Sequence, residues 1–427
     1  MKIERVDLLF TEIPIVGHFE TSYGRIYSSA KLLLKFYTPD YTVFTECVAG
    51  TVLGYSYETG RTARVVLKDH LLPAVMNKEI SDPGEFWEHC GRFRGHPMAK
   101  AAVENALWIG RAIEENVSLA KLLGNEKDRI VSGVSIGIQD TAQDLVQQVE
   151  AKLAEGYPKV KMKIKPGTDV DRVAAVRSAF PDITLMVDAN NAYSLEDIET
   201  LKALDGFDLL MIEQPLAYED IWDHAKLKPR LKTPICLDES IHGPYDARVA
   251  AEMEACQIIN IKQGRVAGLT RAKEVHDICE KAGIGVWCGG MFETGVGRAL
   301  IVALAGLPNF IYPSDISASG RYYKRDIIDP EFSLNPDGTI SVPDGPGLGV
   351  EVNEEVLDRY TIAREVIRGG VDIARIFKPD RSGLTGGDGW NTCLKGPQYT
   401  PLMKTTGSPR PWSWRTGWSS GPGTGPS

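Results

Sequence analysis

Between residues 159 and 264 the chain repeats one pattern: a short apolar or alternating run, then a charged side chain, then a longer stretch with helical spacing. The runs are KVKMKIKPG (159–167), LMVDANN (185–191), LLMIEQP (209–215), PICLDES (234–240) and IINIKQG (258–264). They stop at Lys163, Asp188, Glu213, Asp238 and Lys262, at intervals of 25, 25, 25 and 24 residues. Each interval holds one strand, one helix and two loops, which predicts successive βα units on a parallel sheet. The stretches between agree. Val170, Val173 and Val176 share a helix face, Ser194 and Asp197 form a capping box, and a helix over 269–282 ends at Gly283. With a first strand over 130–138 and further runs at 284–290 and 310–315, the count reaches eight strands. Eight such strands close into a barrel whose reactive side chains collect at the C-terminal strand ends.

The N-terminal part is patterned differently. Three strand-like runs, KIERVDLLF, KLLLKFY and YTVFTECVA, fall within the first 50 residues, the last two joined by the turn at Pro39-Asp40. Between the first two lies a polar, aromatic stretch over 17–29, which reads either as a plain connection or as a lid over a substrate, with Phe19 and Tyr23 making contact. Helices follow over 57–76, 83–92 and 97–115. The expected organisation is an α+β unit over 1–127, completed by about 325–360 where NPDGTISVPDGPGLGV reads as a hairpin, and a barrel over 128–324. Residues 378–427 are rich in Gly, Pro, Ser and Thr, with Trp390, Trp412, Trp414 and Trp418 in no period, and are expected to be disordered.

Composition narrows the function. Hydrophobic residues at 43% and charged ones at 25% are those of an ordinary globular protein. A net charge of −9 without a basic stripe argues against nucleic acid. The longest apolar stretch, 299–307, is too short for a bilayer, and the N-terminus lacks the apolar region of a signal peptide. Seven cysteines without a C-x-x-C pair read as reduced thiols of a cytoplasmic protein. The expected partner is a small-molecule carboxylate, and the chain is expected to form a homo-oligomer.

Taken singly, a carboxylate or lysine at a strand end is most often a capping or solvated group. Five in one phase point to chemistry. In KVKMKIKP the lysines alternate with Val160, Met162 and Ile164; a barrel strand turns its apolar face to the helices, so Lys161 and Lys163 point inward. Two ammonium groups there repel and a nearby divalent cation adds to the repulsion, and both effects are expected to lower a lysine pKa toward that of a base. Asp188, Glu213 and Asp238 supply hard oxygen ligands suited to Mg²⁺, with Mn²⁺ as a substitute. A substrate carboxylate held there would have its α-proton acidified, with Lys163 and Lys262 addressing opposite faces of that carbon. Asn190 and Asn260 are placed to orient this set.

These residues carry a likeness. The K-x-K of Lys161 and Lys163, the D-x-N of Asp188 and Asn190, IEQP, LDES, NIKQGR and WCGGMFETGVGR together resemble the muconate-lactonising subgroup of the enolase superfamily. Within it the chain is most similar to the branch holding o-succinylbenzoate synthases and N-acylamino acid racemases, a likeness that also runs through HFETSYGR, GHPMAKAA, GVSIGI, SDISASGRYY and GPGLGV. The resemblance implies an α/β fold, a (β/α)7β TIM-type barrel under an N-terminal α+β capping domain. It implies Mg²⁺ on Asp188, Glu213 and Asp238, and Lys163 and Lys262 as the acid/base pair. Ser135, Lys161, Asn190, Gly290 and Glu293 would bind or polarise substrate. The implied reaction is dehydration or, with the same two lysines, racemisation; a barrel kept only for binding is the alternative of another class. Gln263 and Gly54 stand where the family commonly has proline, which touches substrate preference and not proton transfer.

Overall fold

A computed structural model describes residues 1–21, 24–369 and 371–377. Strand β1 (Arg5–Thr21) pairs antiparallel with β2 (Gly24–Tyr37), which pairs with β3 (Thr42–Cys47) across the turn where Thr38 N donates to Tyr41 O at 3.0 Å. The sheet is covered by the helix Pro97–Glu114, whose proline sits at the first turn and whose Ala99, Ala102, Val103, Ala106, Ile109 and Ala112 are buried. Thr45 Oγ1 donates to Ala102 O at 2.6 Å, joining β3 to that helix.

Residues 17–21 and 24–29 form strand rather than a loop. After a register shift between Pro14 and Phe19, the hairpin resumes with Phe19 opposite Ile26 and Glu20 opposite Arg25. Two interactions hold this extension, which the glycines and polar residues concealed: the Arg25 guanidinium on Glu20 Oε2 at 2.6 Å, and the Phe19 ring edge-on to Phe292 at 4.9 Å. Glu20 O also accepts from Ile138 N at 3.1 Å, so the hairpin lies on the first barrel loop.

The expected first barrel strand splits at Gly133. Strand β4 (Arg129–Val131) leaves the barrel to pair antiparallel with Thr339–Ser341, and β5 (Val134–Ile136) opens the parallel sheet. There follow β6 (Lys159–Lys163), β7 (Thr184–Asp188), β8 (Ile212–Glu213), β9 (Ile235–Leu237), β10 (Ile258–Asn260) and β11 (Gly285–Trp287), side by side in chain order. The eighth run does not form a regular strand, because Pro313 has no N–H to give within it. It still joins both edges: Phe310 bridges Val286, Ser314 bridges Ser132, and Asp315 N donates to Cys288 O at 2.9 Å. Met186, Met211, Cys236, Ile258 and Trp287 fill the barrel floor, beneath the strand ends that carry the charged residues.

Beyond the barrel, β12 (Ile328–Asp329) pairs with β14 (Glu351–Val352), and β13 (Thr339–Ser341) is the partner of β4, so the expected hairpin keeps its turn at Asn335–Gly338 but spends its strand on the barrel's first segment. Strands β15 (Thr361–Arg368) and β16 (Val371–Phe377), not anticipated, extend the N-terminal sheet in the order β16-β15-β1-β2-β3. The expectation for 378–427 lies outside the described residues.

Two buried carboxylates tie the N-terminal unit to barrel helices, each accepting from the free N–H groups of a helix start. Glu104 takes Leu269 N at 2.7 Å and Thr270 N at 3.0 Å, and Glu46 takes Thr294 N at 2.9 Å and Thr294 Oγ1 at 2.6 Å. Among the described residues no helix is long and apolar enough to cross a membrane.

Candidate active site

Lys161 and Lys163 reach inward from β6, as the alternation requires, and meet carboxylates from neighbouring strands. Lys163 Nζ donates to Asp188 Oδ2 at 2.6 Å and Asn190 Oδ1 at 2.7 Å. Lys161 Nζ lies 3.0 Å from Glu213 Oε2, 3.2 Å from Asp188 Oδ2 and 2.6 Å from Asp315 Oδ2. Across the mouth, Lys262 Nζ donates to Asp238 Oδ2 at 2.7 Å and to the Tyr55 hydroxyl at 2.8 Å. Arg265 pairs with the other oxygen of Asp238, and its Nη1 also reaches Tyr55 OH at 2.8 Å. Asn260 Nδ2 donates to Glu213 Oε1 at 2.8 Å, while Asn260 Oδ1 accepts from Gly289 N at 2.7 Å. The glycine is required there, since a Cβ at 289 would come within 2.7 Å of Lys262 Cε.

The electrostatics depart from expectation at Lys161. Burial opposes its charge, but Asp315, Glu213 and Asp188 outweigh it, and its pKa is raised well above the ordinary value. Lys262 is raised likewise: burial acts against its charge, and Asp238 overcomes it. The carboxylates divide. Burial would raise Asp188, and Lys163 and Lys161 reverse this and hold it low; Asp238 is held low against burial by Arg265 and Lys262. Glu213, buried and facing Asp188, is pushed up to about 8. Glu239, beside Asp238 on the same loop, is pushed up to about 7 by burial and then by Asp238 and Asp188.

This donor set fits a divalent cation. Asp188, Glu213 and Asp238 offer carboxylate oxygens from adjacent strand ends, and Glu213 is held above the usual carboxylate range by burial and then by Asp188, a cost that a bound cation would relieve. His276, Asp277 and Glu280 also bring ligand atoms within 4.8 Å of one another, on the outer helix Leu269–Ala282. There His276 is engaged by Asn309 N at 3.0 Å and by Asp277 at 2.9 Å, and none of the three lines the cavity.

A cavity of about 200 Å³ opens over these groups, between barrel and hairpin. Of the residues expected to contact substrate, Phe19, Ser135, Lys161, Asn190, Gly290 and Glu293 line it, together with Lys163 and Lys262. Tyr23 lies outside the described residues. Asp188, Glu213 and Asp238 stand behind the lysines and do not line it. Ser135 Oγ is buried without a partner.

Sequence reasoning missed four residues here. Asp315 ends the eighth run in the phase that singled out the other five, and carrying the rule two units further finds it. Glu239 and Arg265 lie one and three positions beyond singled-out residues, and no spacing distinguishes them from capping groups. Tyr55 comes from an irregular segment of the N-terminal unit that carries no periodic signal.

Comparison with known proteins covers both units of the chain. The family model described as enolase C-terminal domain-like matches residues 144–356, and that of the mandelate racemase / muconate lactonizing enzyme N-terminal domain matches residues 42–124. The chain is 47% identical over 362 residues to an o-succinylbenzoate synthase of Geobacillus kaustophilus, covering 84% of this chain and 96% of that protein. It is 46% identical over 365 residues to an N-succinylamino acid racemase of Amycolatopsis sp, covering 85% and 99%. Among solved structures, an enolase superfamily member from Listeria innocua superposes with a TM-score of 0.83 at 41% identity, covering 86% of this chain and 100% of that one.

Proposed function

This chain belongs to the enolase superfamily, and from that premise we propose that it is an o-succinylbenzoate synthase, a lyase that dehydrates 2-succinyl-6-hydroxy-2,4-cyclohexadiene-1-carboxylate to o-succinylbenzoate in menaquinone synthesis. The observation that carries the reading is the pair of lysines at one cavity, Lys163 and Lys262, each tied to a different carboxylate, Asp188 and Asp238.

Members of the superfamily bind a divalent metal, and in this reading Asp188, Glu213 and Asp238 hold Mg²⁺, which when bound offsets the negative charge that proton loss places on the substrate carboxylate. Lys163, as the free amine, takes the α-proton and the C–H electron pair moves into the enediolate; that pair then returns to form the ring double bond as the C–O bond breaks, and the same nitrogen gives its proton to the departing hydroxyl, which leaves as water from the same face. Lys262 stays an ammonium held by Asp238 and Tyr55 and stabilises the developing charge without moving a proton. Lys161 and Ser135 face the substrate from the barrel, and the hairpin carrying Phe19 keeps water from it.

A second reading, racemisation of N-succinylamino acids, is favoured by the nearly equal identity to the Amycolatopsis racemase, at 46% against 47%. It needs both lysines to exchange protons. Purified protein with Mg²⁺ is assayed for loss of the cyclohexadiene absorbance and, in D₂O, for deuterium entry into each enantiomer of an N-succinylamino acid. Dehydration that survives in part in Lys262→Arg supports the synthase. Strong two-sided exchange with no dehydration gives the function to the racemase.

A further inference from the structure

Glu239 is a carboxylate with no exposed surface, set beside Asp238; among the described residues its own hydrogen-bond partners are the amides of Asn190 and Asn191. Its Oε1 accepts from Asn190 Nδ2 at 3.0 Å and from Asn191 Nδ2 at 3.5 Å. The Asn190 backbone N donates to Asp188 Oδ1 at 3.0 Å, and its side-chain oxygen accepts from Lys163 Nζ at 2.7 Å. An asparagine amide presents an acceptor on one end and donors on the other, and a half-turn about its last bond exchanges them. In the exchanged position its NH₂ would face the lysine and offer no acceptor. Glu239 Oε1 accepts at the nitrogen end, and the exchange would set the amide oxygen against it, so the observed orientation is the one that gives both ends of the amide a partner. Burying this group next to another acid is unfavourable, and an apolar side chain of similar size would avoid that cost but leave the Asn190 NH₂ without its acceptor.

We propose that Glu239 is a positioning residue for proton transfer: through Asn190 it fixes the direction of the Lys163 amine toward the substrate α-carbon. This rests on the reading of Lys163 as the proton-transfer group. The role is distinct from metal binding, since it runs through the Asn190 amide to Lys163. Misdirecting the amine lowers turnover and leaves substrate affinity nearly unchanged, because binding does not require the proton to move.

The test is a double-mutant cycle between Glu239→Leu and Asn190→Ala in the Mg²⁺-loaded protein, with Mg²⁺ affinity measured separately by calorimetry. Each single change is expected to lower kcat roughly 10–100-fold, the size seen when groups that orient a site's ligands are removed. KM is expected to stay within about threefold, and the double variant to be no worse than Asn190→Ala within about threefold, since coupled residues do not add. Glu239→Gln, which still presents an acceptor, recovers most of the loss, and Mg²⁺ affinity is unchanged in all three variants. Losses that multiply in the double variant, or a tenfold fall in Mg²⁺ affinity with Glu239→Leu, overturn the proposal. Should Glu239→Leu not fold, the cycle is run with Glu239→Gln, whose smaller loss must likewise vanish in the Asn190→Ala background. Lys163→Ala serves as the control for the underlying reading: full activity there refutes Lys163 as the base, whereas an inactive Lys163→Ala with multiplicative losses refutes only the role of Glu239.

Discussion

Lys161 is the residue on which the charged mouth turns, because one ammonium serves Asp188, Glu213 and Asp315 at 3.2, 3.0 and 2.6 Å. Removing it leaves buried Glu213, among the described residues, without a cation and leaves Asp188 and Asp315 with one each, Lys163 and Lys159. Lys161→Ala should therefore cost about 3–5 kcal/mol of stability, as breaking a buried pair does, and Lys161→Met, which keeps the volume, should cost nearly as much; urea unfolding measures both. A loss under about 1 kcal/mol would show that the carboxylates find other partners. At this scale sequence and structure agree on position and differ on ionisation. Alternation put Lys161 and Lys163 inside, but the expectation of a lowered pKa counted the second lysine and not Asp315, which comes from the far end of the barrel sequence. Glu239 and Tyr55 were illegible for a related reason: their partners are reached only when the barrel closes and the N-terminal unit docks.

Among the elements, the hairpin of β1 and β2 was the least legible. Glycines and polar residues over 17–29 read as a loop, and only the cross-strand pair of Glu20 with Arg25 and the contact of Phe19 with Phe292 make it a strand pair. Phe19 lines the cavity and also packs on the loop after β11, so Phe19→Ala should change the ratio of activities on different substrates more than it lowers Tm. Equal losses on all substrates with a falling Tm would make the ring a packing group only. The joints between the two units titrate. Glu46 is pushed up to about 7, by burial first and by Glu293, with Lys31 and the Thr294 contacts opposing, while its Oε1 has no partner. A folded pKa above the ordinary carboxylate value means that the folded state holds a proton the unfolded chain has released. The stability this contributes is full below about pH 4.5 and is lost as pH rises through about 7. Wild-type Tm should accordingly fall relative to Glu46→Gln between pH 5 and pH 8. Parallel melting profiles for the two proteins would show that Glu46 does not carry that proton.

For the whole molecule, the interval of 24–25 residues between charged strand ends was enough to read a barrel, because a βα unit has nearly constant length when its helix must span its strand. Closure was harder to read: the last segment joins Val286 and Ser132 through single bridges around Pro313, and β15 and β16 return to the N-terminal sheet from the far end of the chain. Such long-range pairings leave no local period in sequence. A cation bound by the folded mouth and not by the unfolded chain raises Tm by mass action, so Mg²⁺ should stabilise the wild type in proportion to the logarithm of its concentration, and Asp238→Asn should abolish that shift. A shift that survives Asp238→Asn would locate the cation elsewhere, with His276, Asp277 and Glu280 the first place to look. The most direct test of the account is the rate of cyclohexadiene loss from 2-succinyl-6-hydroxy-2,4-cyclohexadiene-1-carboxylate, followed in wild type and Lys163→Ala, each with Mg²⁺ and after chelation. The account predicts turnover only in wild type with Mg²⁺, restored when the metal is returned. Turnover by Lys163→Ala, or by metal-free wild type, would contradict it.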